Sequence, residues 1–265
     1  MVYKESMQKR TSLCNAKRIL RNLYSDFLCP QTCLLCGKKS NTGAQLCENC
    51  IATEFNPYID SASVKGLQTS GSRCRRCGKI LISESDYCTH CISSEQHGSD
   101  KRIVSCDRVF TLFPYIGLGQ RLLPIWKNNN LRAFSAVFAP LIYRFLMQTP
   151  VLLHLPVVPV PPRPKKLREK GWDQVEDLAQ ELTAYPQLTI CRCLKRQDGV
   201  PQKRLSKTDR AMNLQGKISV STKTVPDTLI LLDDVMTTGA TLETCAHALK
   251  TAGCKEVYGL CLFFD

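Results

Sequence analysis

The residues best placed to do chemistry in this chain are two adjacent carboxylates followed by a hydroxyl-rich turn, in Leu-Ile-Leu-Leu-Asp-Asp-Val-Met-Thr-Thr-Gly-Ala-Thr-Leu over 229–242. Four apolar residues read as a buried strand. Asp233 and Asp234 then fall at its carboxyl end, where an open α/β sheet presents its ligand crevice. The turn that follows (Val235, Met236, Thr237, Thr238, Gly239, Ala240, Thr241) offers backbone N–H groups and three threonine hydroxyls just before a helix. A loop opening into a helix N-terminus favours an anion, because orphan N–H donors and the helix dipole both face it. Gly239 lets the backbone approach closely. Carboxylates repel phosphate, so the ligand is expected to carry phosphate at one end and hydroxyls or a cation at the other. A phosphorylated sugar with Mg2+ meets that requirement. The acidic strand of a nucleotide hydrolase would need a Gly-x4-Gly-Lys-Ser/Thr loop elsewhere, and no Gly-Lys pair here is followed by Ser or Thr.

A second set of chemistry-bearing residues lies in the first third of the chain. Of 16 cysteines, eight form Cys-x-x-Cys pairs in an internal repeat. Cys33-x2-Cys36-x10-Cys47-x2-Cys50 recurs as Cys74-x2-Cys77-x10-Cys88-x2-Cys91, and both copies open as Cys-x-x-Cys-Gly-Lys. Two such knuckles supply the tetrahedral four-sulfur shell that zinc favours. Two structural Zn2+ sites are expected, paired within each repeat or interleaved as a cross-brace. His90, beside Cys91, reads as a loop residue, with replacement of one sulfur the alternative.

The elements that must position these groups follow from periodicity. Strands are expected over 108–115, 157–160, 228–235 and 257–264, and helices over 119–127, 131–147, 175–183 and 241–252. Strands alternating with helices imply a parallel α/β sheet. Leu13, Leu20, Leu23, Phe27 and Leu28 sit near helical spacing among Lys9, Arg10, Lys17, Arg18 and Arg21. That pattern reads as an amphipathic basic helix packed on the rest of the protein, with contact to anionic lipid or nucleic acid the alternative. Residues 93–102 read as a linker.

Charge sets a further bound. Lys and Arg total 36 against 23 Asp and Glu, a formal net charge of +13. Such a surplus favours a polyanionic partner, and a nucleic-acid track explains it better than a small phosphate pocket alone. The hydrophobic fraction of 43% excludes a disordered polybasic chain. No apolar stretch approaches a membrane span, and no secretory signal is visible, so a cytoplasmic location is expected. After the strand at 157–160 come Arg163, Lys165, Lys166, Arg168 and Lys170, which read as a basic loop. Residues 192–210, with Lys195, Arg196, Lys203, Arg204 and Arg210, read as a mobile basic loop over the site. Arg73, Arg75, Arg76 and Lys79 surround the second cysteine repeat as a candidate DNA face. Tyr58, Tyr87 and Trp126 are candidate stacking platforms, each with packing as the competing role.

The stretch Leu-Asp-Asp-Val-Met-Thr-Thr-Gly-Ala-Thr over 232–241 resembles the phosphoribosyl-pyrophosphate (PRPP) signature of type I phosphoribosyltransferases. More narrowly, the chain resembles the ComF (ComFC) family of natural-competence proteins. The cysteine repeats, Val-Val-Pro-Val-Pro over 157–161, Leu-Arg-Glu-Lys-Gly-Trp-Asp-Gln over 167–174, Pro201-Gln202, Leu205-Ser206, Arg210 and Asn213 carry that likeness across nearly the whole chain. The resemblance implies an α/β type I phosphoribosyltransferase fold, parallel-sheeted and Rossmann-like, behind an N-terminal zinc-ribbon domain. The parts would be a helix over 1–28, a double zinc ribbon over 29–102 and a phosphoribosyltransferase-like domain over 103–265. Asp233 and Asp234 would be catalytic, and 233–241 would bind PRPP with Mg2+. Lys127, Gln174 and the basic residues named above would contact pyrophosphate or single-stranded DNA. The implied role is handling of incoming DNA during natural transformation, beside other competence proteins at the cytoplasmic face of the inner membrane. The alternative is a non-catalytic DNA-binding factor that keeps the PRPP pocket as a ligand sensor or scaffold. One departure stands out: Lys170-Gly-Trp-Asp-Gln174 replaces the family's Arg-Gly-Phe-Asn-Gln, so Asp173 brings negative charge beside a site expected to face pyrophosphate.

Overall fold

The computed structural model describes residues 32–33, 35–39, 46–63, 73–74, 76–81, 86–89, 91–92, 105–128, 131–197 and 217–265. The expected N-terminal helix, the linker over 93–102, and Arg75, His90, Lys203, Arg204, Arg210 and Asn213 lie outside the described residues.

Four strands form one all-parallel sheet in the order β1-β6-β5-β2, where β1 is Arg108–Pro114, β2 Val157–Pro159, β5 Thr228–Met236 and β6 Glu256–Phe264. Nine-residue β5 and β6 are the spine, in register from Thr228 opposite Glu256 to Met236 opposite Phe264. Both are buried on two faces, which is why they read as near-continuous apolar runs rather than alternating ones. Alternation reappears in which face each residue serves. Ile230 and Leu232 of β5 join one core with Phe110, Leu112, Leu260 and Leu262. Leu229 and Leu231 join the other with Val109, Val158, Val257 and Cys261.

Helices cover both faces. The first core takes α3 (Leu118–Asn128), α4 (Phe134–Met147) and α7 (Gln174–Leu182); the second takes α8 (Ala240–Thr251). Two short helices, α5 (Pro150–Leu153) and α6 (Pro164–Lys170), flank β2. The basic stretch after β2, expected as a loop, is thus helical, with Pro164 in its first turn, a position that tolerates proline because its N–H would be unpaired anyway. Trp126 is fully buried in α3, donating from Nε1 to Ser135 Oγ (3.1 Å) and packing on Phe138. Packing, not base stacking, is its role.

Each cysteine repeat feeds a different core. Cys33, Leu46 and Cys50 lead through α1 (Glu48–Cys50) and a π-helical turn (Ile51–Phe55) into α2 (Asn56–Ala62), whose neighbour Phe55 sits edge-on to Phe113 at 5.2 Å in the first core. Cys74, Cys77, Cys88 and Cys91 belong to the second. The second repeat also covers the outer edge of β1. Val109 N–H donates to Arg76 O (3.2 Å) and Thr111 Oγ1 donates to Gly78 O (2.8 Å), satisfying groups that an open edge strand would leave to water or to another chain. Gly78 has φ +71°, and a Cβ there would stand 2.6 Å from Val109 O, so only glycine lets the knuckle dock this closely.

Part of the basic stretch expected as a loop over 192–210 is a strand, while residues 198–216 lie outside the described residues. Leu194–Arg196 (β3) pairs antiparallel with Ile218–Val220 (β4). Strands of three residues give too short a pattern to distinguish from a loop.

Candidate functional site

The carboxyl rim of β5 opens on a cavity of about 390 Å³. Asp233, Asp234, Val235, Thr237 and Thr241 line it from β5 and the turn, Lys127 from α3, and Arg163, Lys166, Asp173 and Gln174 from around α6 and the start of α7. Arg196 of β3 completes the lining. Four cations (Lys127, Arg163, Lys166, Arg196) and three acids (Asp173, Asp233, Asp234) therefore share one small volume. Met236 ends β5 buried in the second core. Gly239 stands at the N-cap of α8 with φ +75°, a left-handed conformation that side chains resist. Thr238 accepts at Oγ1 from Ala240 N–H (3.4 Å), and both Thr237 and Thr238 are exposed.

The two aspartates differ in their partners. Asp234 Oδ2 takes an ion pair from Lys127 Nζ (2.9 Å) and a hydrogen bond from Gln174 Nε2 (2.7 Å). Gln174 is itself buried, and its Oε1 accepts from Lys166 Nζ (3.0 Å). Lys170 Nζ donates to the Lys127 carbonyl. Asp233 receives the Asp234 N–H at Oδ1 (2.9 Å). Burial first, and the neighbouring Asp234 charge second, push the Asp233 carboxyl up to about 8. Near neutral pH it holds its proton about half the time or more.

Asp173 does not face the cavity as an unpaired charge. It caps α7, accepting at Oδ1 from Val175 N–H (2.9 Å) and Glu176 N–H (3.3 Å), an N-cap role that asparagine shares. Burial raises its pKa. The departure from the family motif is thus absorbed by helix capping. The signal for it lay in the sequence, in an Asp placed just before an apolar-periodic run.

Not every predicted cation reaches the cavity. Lys165, Arg168 and Lys195 are exposed and outside its lining, with Lys165 facing Glu169 at 3.8 Å. Lys170 lies over the Trp172 ring at 5.9 Å. In the second repeat, Arg73 is buried instead of presented to solvent. Its guanidinium donates to Thr111 O (2.6 Å), Gly78 O (3.0 Å), Ser61 Oγ (3.0 Å), Tyr58 O (3.3 Å) and Leu112 O (3.3 Å). Desolvation lowers its pKa to about 10. This clamp was missed because an arginine beside a knuckle cysteine looks the same in sequence whether it faces solvent or carbonyls. Tyr87, by contrast, is exposed with the Arg76 guanidinium 5.6 Å from its ring centroid.

The cysteines gather within repeats, not across them: Cys33, Cys36, Cys47 and Cys50 in one group, and Cys74, Cys77, Cys88 and Cys91 in the other, with Sγ atoms in each within 4.8 Å of one another. The Cys36–Cys47 and Cys77–Cys88 sulfurs are 3.7 Å apart. A tetrahedron with Zn–S of about 2.3 Å requires about 3.8 Å between sulfurs. Each group fits one structural zinc ion, and the interleaved alternative is excluded.

No family model matches the chain. It is similar to Competence protein F of Haemophilus influenzae, with 28% identity over 193 residues that span 69% of this chain and 81% of that protein. That similarity is independent support for the resemblance drawn from the motifs. No helix among the described residues is long and apolar enough to cross a membrane.

Proposed function

We propose that this chain is a natural-competence protein that binds PRPP with Mg2+ at the β5 rim and single-stranded DNA on its basic surface, with phosphoribosyltransferase chemistry at that rim. The observation that carries the reading is the joining of two buried carboxylates to a threonine–glycine turn and four cations in one cavity of about 390 Å³. The proposed layout is a helix over 1–28, a zinc-ribbon part over 29–102 and a phosphoribosyltransferase-like part over 103–265, acting in the cytoplasm and at the inner face of the membrane. The likeness to a protein called Competence protein F supports a role in competence.

In this account the 237–241 turn and the N-terminus of α8 hold the sugar's terminal phosphate. Asp233 and Asp234 accept hydrogen bonds from ring hydroxyls. Arg163, Lys166 and Arg196 take the pyrophosphate as its bond to the anomeric carbon breaks, the Asp234 carboxylate stabilises the cationic sugar, and an acceptor's lone pair then bonds to that carbon. Carboxylate oxygens are the donors Mg2+ prefers, and bound Mg2+ would neutralise the diphosphate. Lys165, Arg168 and Lys195, exposed and off the cavity, suit a phosphate backbone, whose binding would weaken steeply with salt.

A second reading, a ligand-sensing DNA-binding factor without turnover, is favoured by one observation. Each carboxylate lining the cavity already has a partner: Asp173 caps α7, Asp234 holds Lys127 and Gln174, and Asp233 takes a backbone N–H. No histidine among the described residues joins them in that lining as a general base for an acceptor. Pyrophosphate release from PRPP, assayed with and without single-stranded DNA, separates the two. Release supports the transferase; tight PRPP binding with no release under any acceptor leaves the sensor. No PRPP binding at all overturns both.

A further inference from the structure

The Lys127–Asp234 pair is more than a phosphate ligand waiting beside an acid. Lys127 comes from the last turn of α3, far from β5 in sequence, yet its Nζ lies 2.9 Å from Asp234 Oδ2 inside the cavity. The same oxygen takes Gln174 Nε2 at 2.7 Å, so that edge of the carboxylate is fully occupied. The pair is mostly withdrawn from water, with 24% of the Lys127 side chain and 9% of the Asp234 side chain exposed. Further connections run outward to the basic helix α6: Lys166 Nζ holds Gln174 Oε1, and Lys170 Nζ holds the Lys127 backbone. An ammonium therefore stands at the carboxylate where a ligand's metal ion or hydroxyl would bind.

We propose that Lys127 is an internal countercation, a latch that occupies Asp234 in the ligand-free pocket and is exchanged when a metal-chelated diphosphate enters. This inference rests on the reading of the cavity given above and deepens it. A divalent ion arriving alone at that oxygen must displace the ammonium and leave Lys127 in a half-buried site with no anion, which is unfavourable. A sugar monophosphate brings an anion but no ion for Asp234. Only a diphosphate carrying its metal does both, giving Asp234 a new cation and Lys127 a new anion in one step. The latch thus selects metal-diphosphate esters over monophosphates and over free divalent ions, through residues already charge-balanced without them. Arg163, Lys166 and Arg196 share the cavity but make no ion pair with Asp234 among the described residues, so they would act as diphosphate ligands rather than as the latch.

The test is binding of free Mn2+, without any sugar phosphate, to the zinc-loaded full chain, followed by electron paramagnetic resonance. Lys127→Met removes the competing ammonium and is expected to tighten Mn2+ about tenfold or more. Lys127→Arg, which keeps the charge, should stay near the wild-type value, and adding Asp234→Asn to Lys127→Met should abolish the gain. Lys127→Gln serves as a second neutral variant should the methionine form not fold. Unchanged or weaker Mn2+ binding in both neutral variants overturns the latch, since an ammonium that occupies Asp234 must compete with the ion for it. Mg2+-dependent binding of PRPP to the wild type is measured alongside. If the wild type binds PRPP while the neutral variants gain no Mn2+ affinity, the latch alone is wrong; if the wild type binds no PRPP, the reading of the cavity fails with it.

Discussion

Arg73 and the Asp233–Asp234 pair are both charged groups withdrawn from solvent, 5% exposed for Arg73 against 8% and 6% for the aspartates, but their partners differ in kind. Arg73 is surrounded by backbone carbonyls of the second cysteine repeat, α2 and β1. Those carbonyls cannot leave, and removing the guanidinium strands them. The aspartates open on a cavity, and what holds Asp234 is side chains, Lys127 and Gln174, which can rotate away. Burial alone therefore does not mark a functional charge. The distinguishing property is whether its partners are exchangeable.

The sharpest way to break this contrast is to remove the metal shell under Arg73. Cys74→Ser is expected to cost one of two zinc ions and several kcal/mol of stability, on the scale of structural zinc sites, because the second repeat also closes the β1 edge. Metal analysis and denaturant melts check it. Zinc stoichiometry that stays at two would show the ligand set to be wrong. Next in size, Arg73→Met leaves several buried carbonyls without a donor and is expected to lower the unfolding free energy by about 3 kcal/mol. PRPP affinity of the folded fraction should be unchanged; a variant as stable as wild type would refute the clamp. Cys33→Ser should also lose one zinc ion but destabilise less, since Cys36 of that group is exposed and Cys47 half-buried. A melt as impaired as that of Cys74→Ser would erase the difference between the repeats.

One further effect is read as a slope with pH and not as a single value, and it comes from Asp233. Its folded pKa is raised from 3.8 to about 8, so the native state holds a proton that the unfolded chain has released. Stability attributable to this group is greatest below about pH 4 and falls as pH rises toward 8, by at most about 1.4 kcal/mol per pH unit. Asp233→Asn should flatten the unfolding free energy across that window. An unchanged slope would mean that Asp233 is ionised throughout.

Much of this arrangement was legible in residue patterns. The strand ending in Asp233 and Asp234 was read from four apolar residues bounded by charge, and β5 runs two residues past them to Met236. The zinc ligands were read from spacing alone, but their grouping was not, since spacing is blind to which knuckles meet. Arg73 was placed at the surface, and Trp126 was left with stacking as an alternative to packing, for a common reason. Arginine and tryptophan each carry a polar group on a large apolar body, so only the three-dimensional neighbours decide whether the group faces solvent, a carbonyl or a hydroxyl. The Lys127–Asp234 pair joins residues over a hundred positions apart, and no local pattern encodes such a contact.

The most direct test of the central claim is a calorimetric titration of PRPP with Mg2+ into zinc-loaded wild type and Asp233→Asn/Asp234→Asn. The wild type should bind one PRPP per chain, and the double variant, with both zinc ions retained, should lose about a hundredfold or more in affinity, as expected when a charged acceptor and its neighbouring carboxyl are removed together. A double variant that binds PRPP as the wild type does would contradict the account.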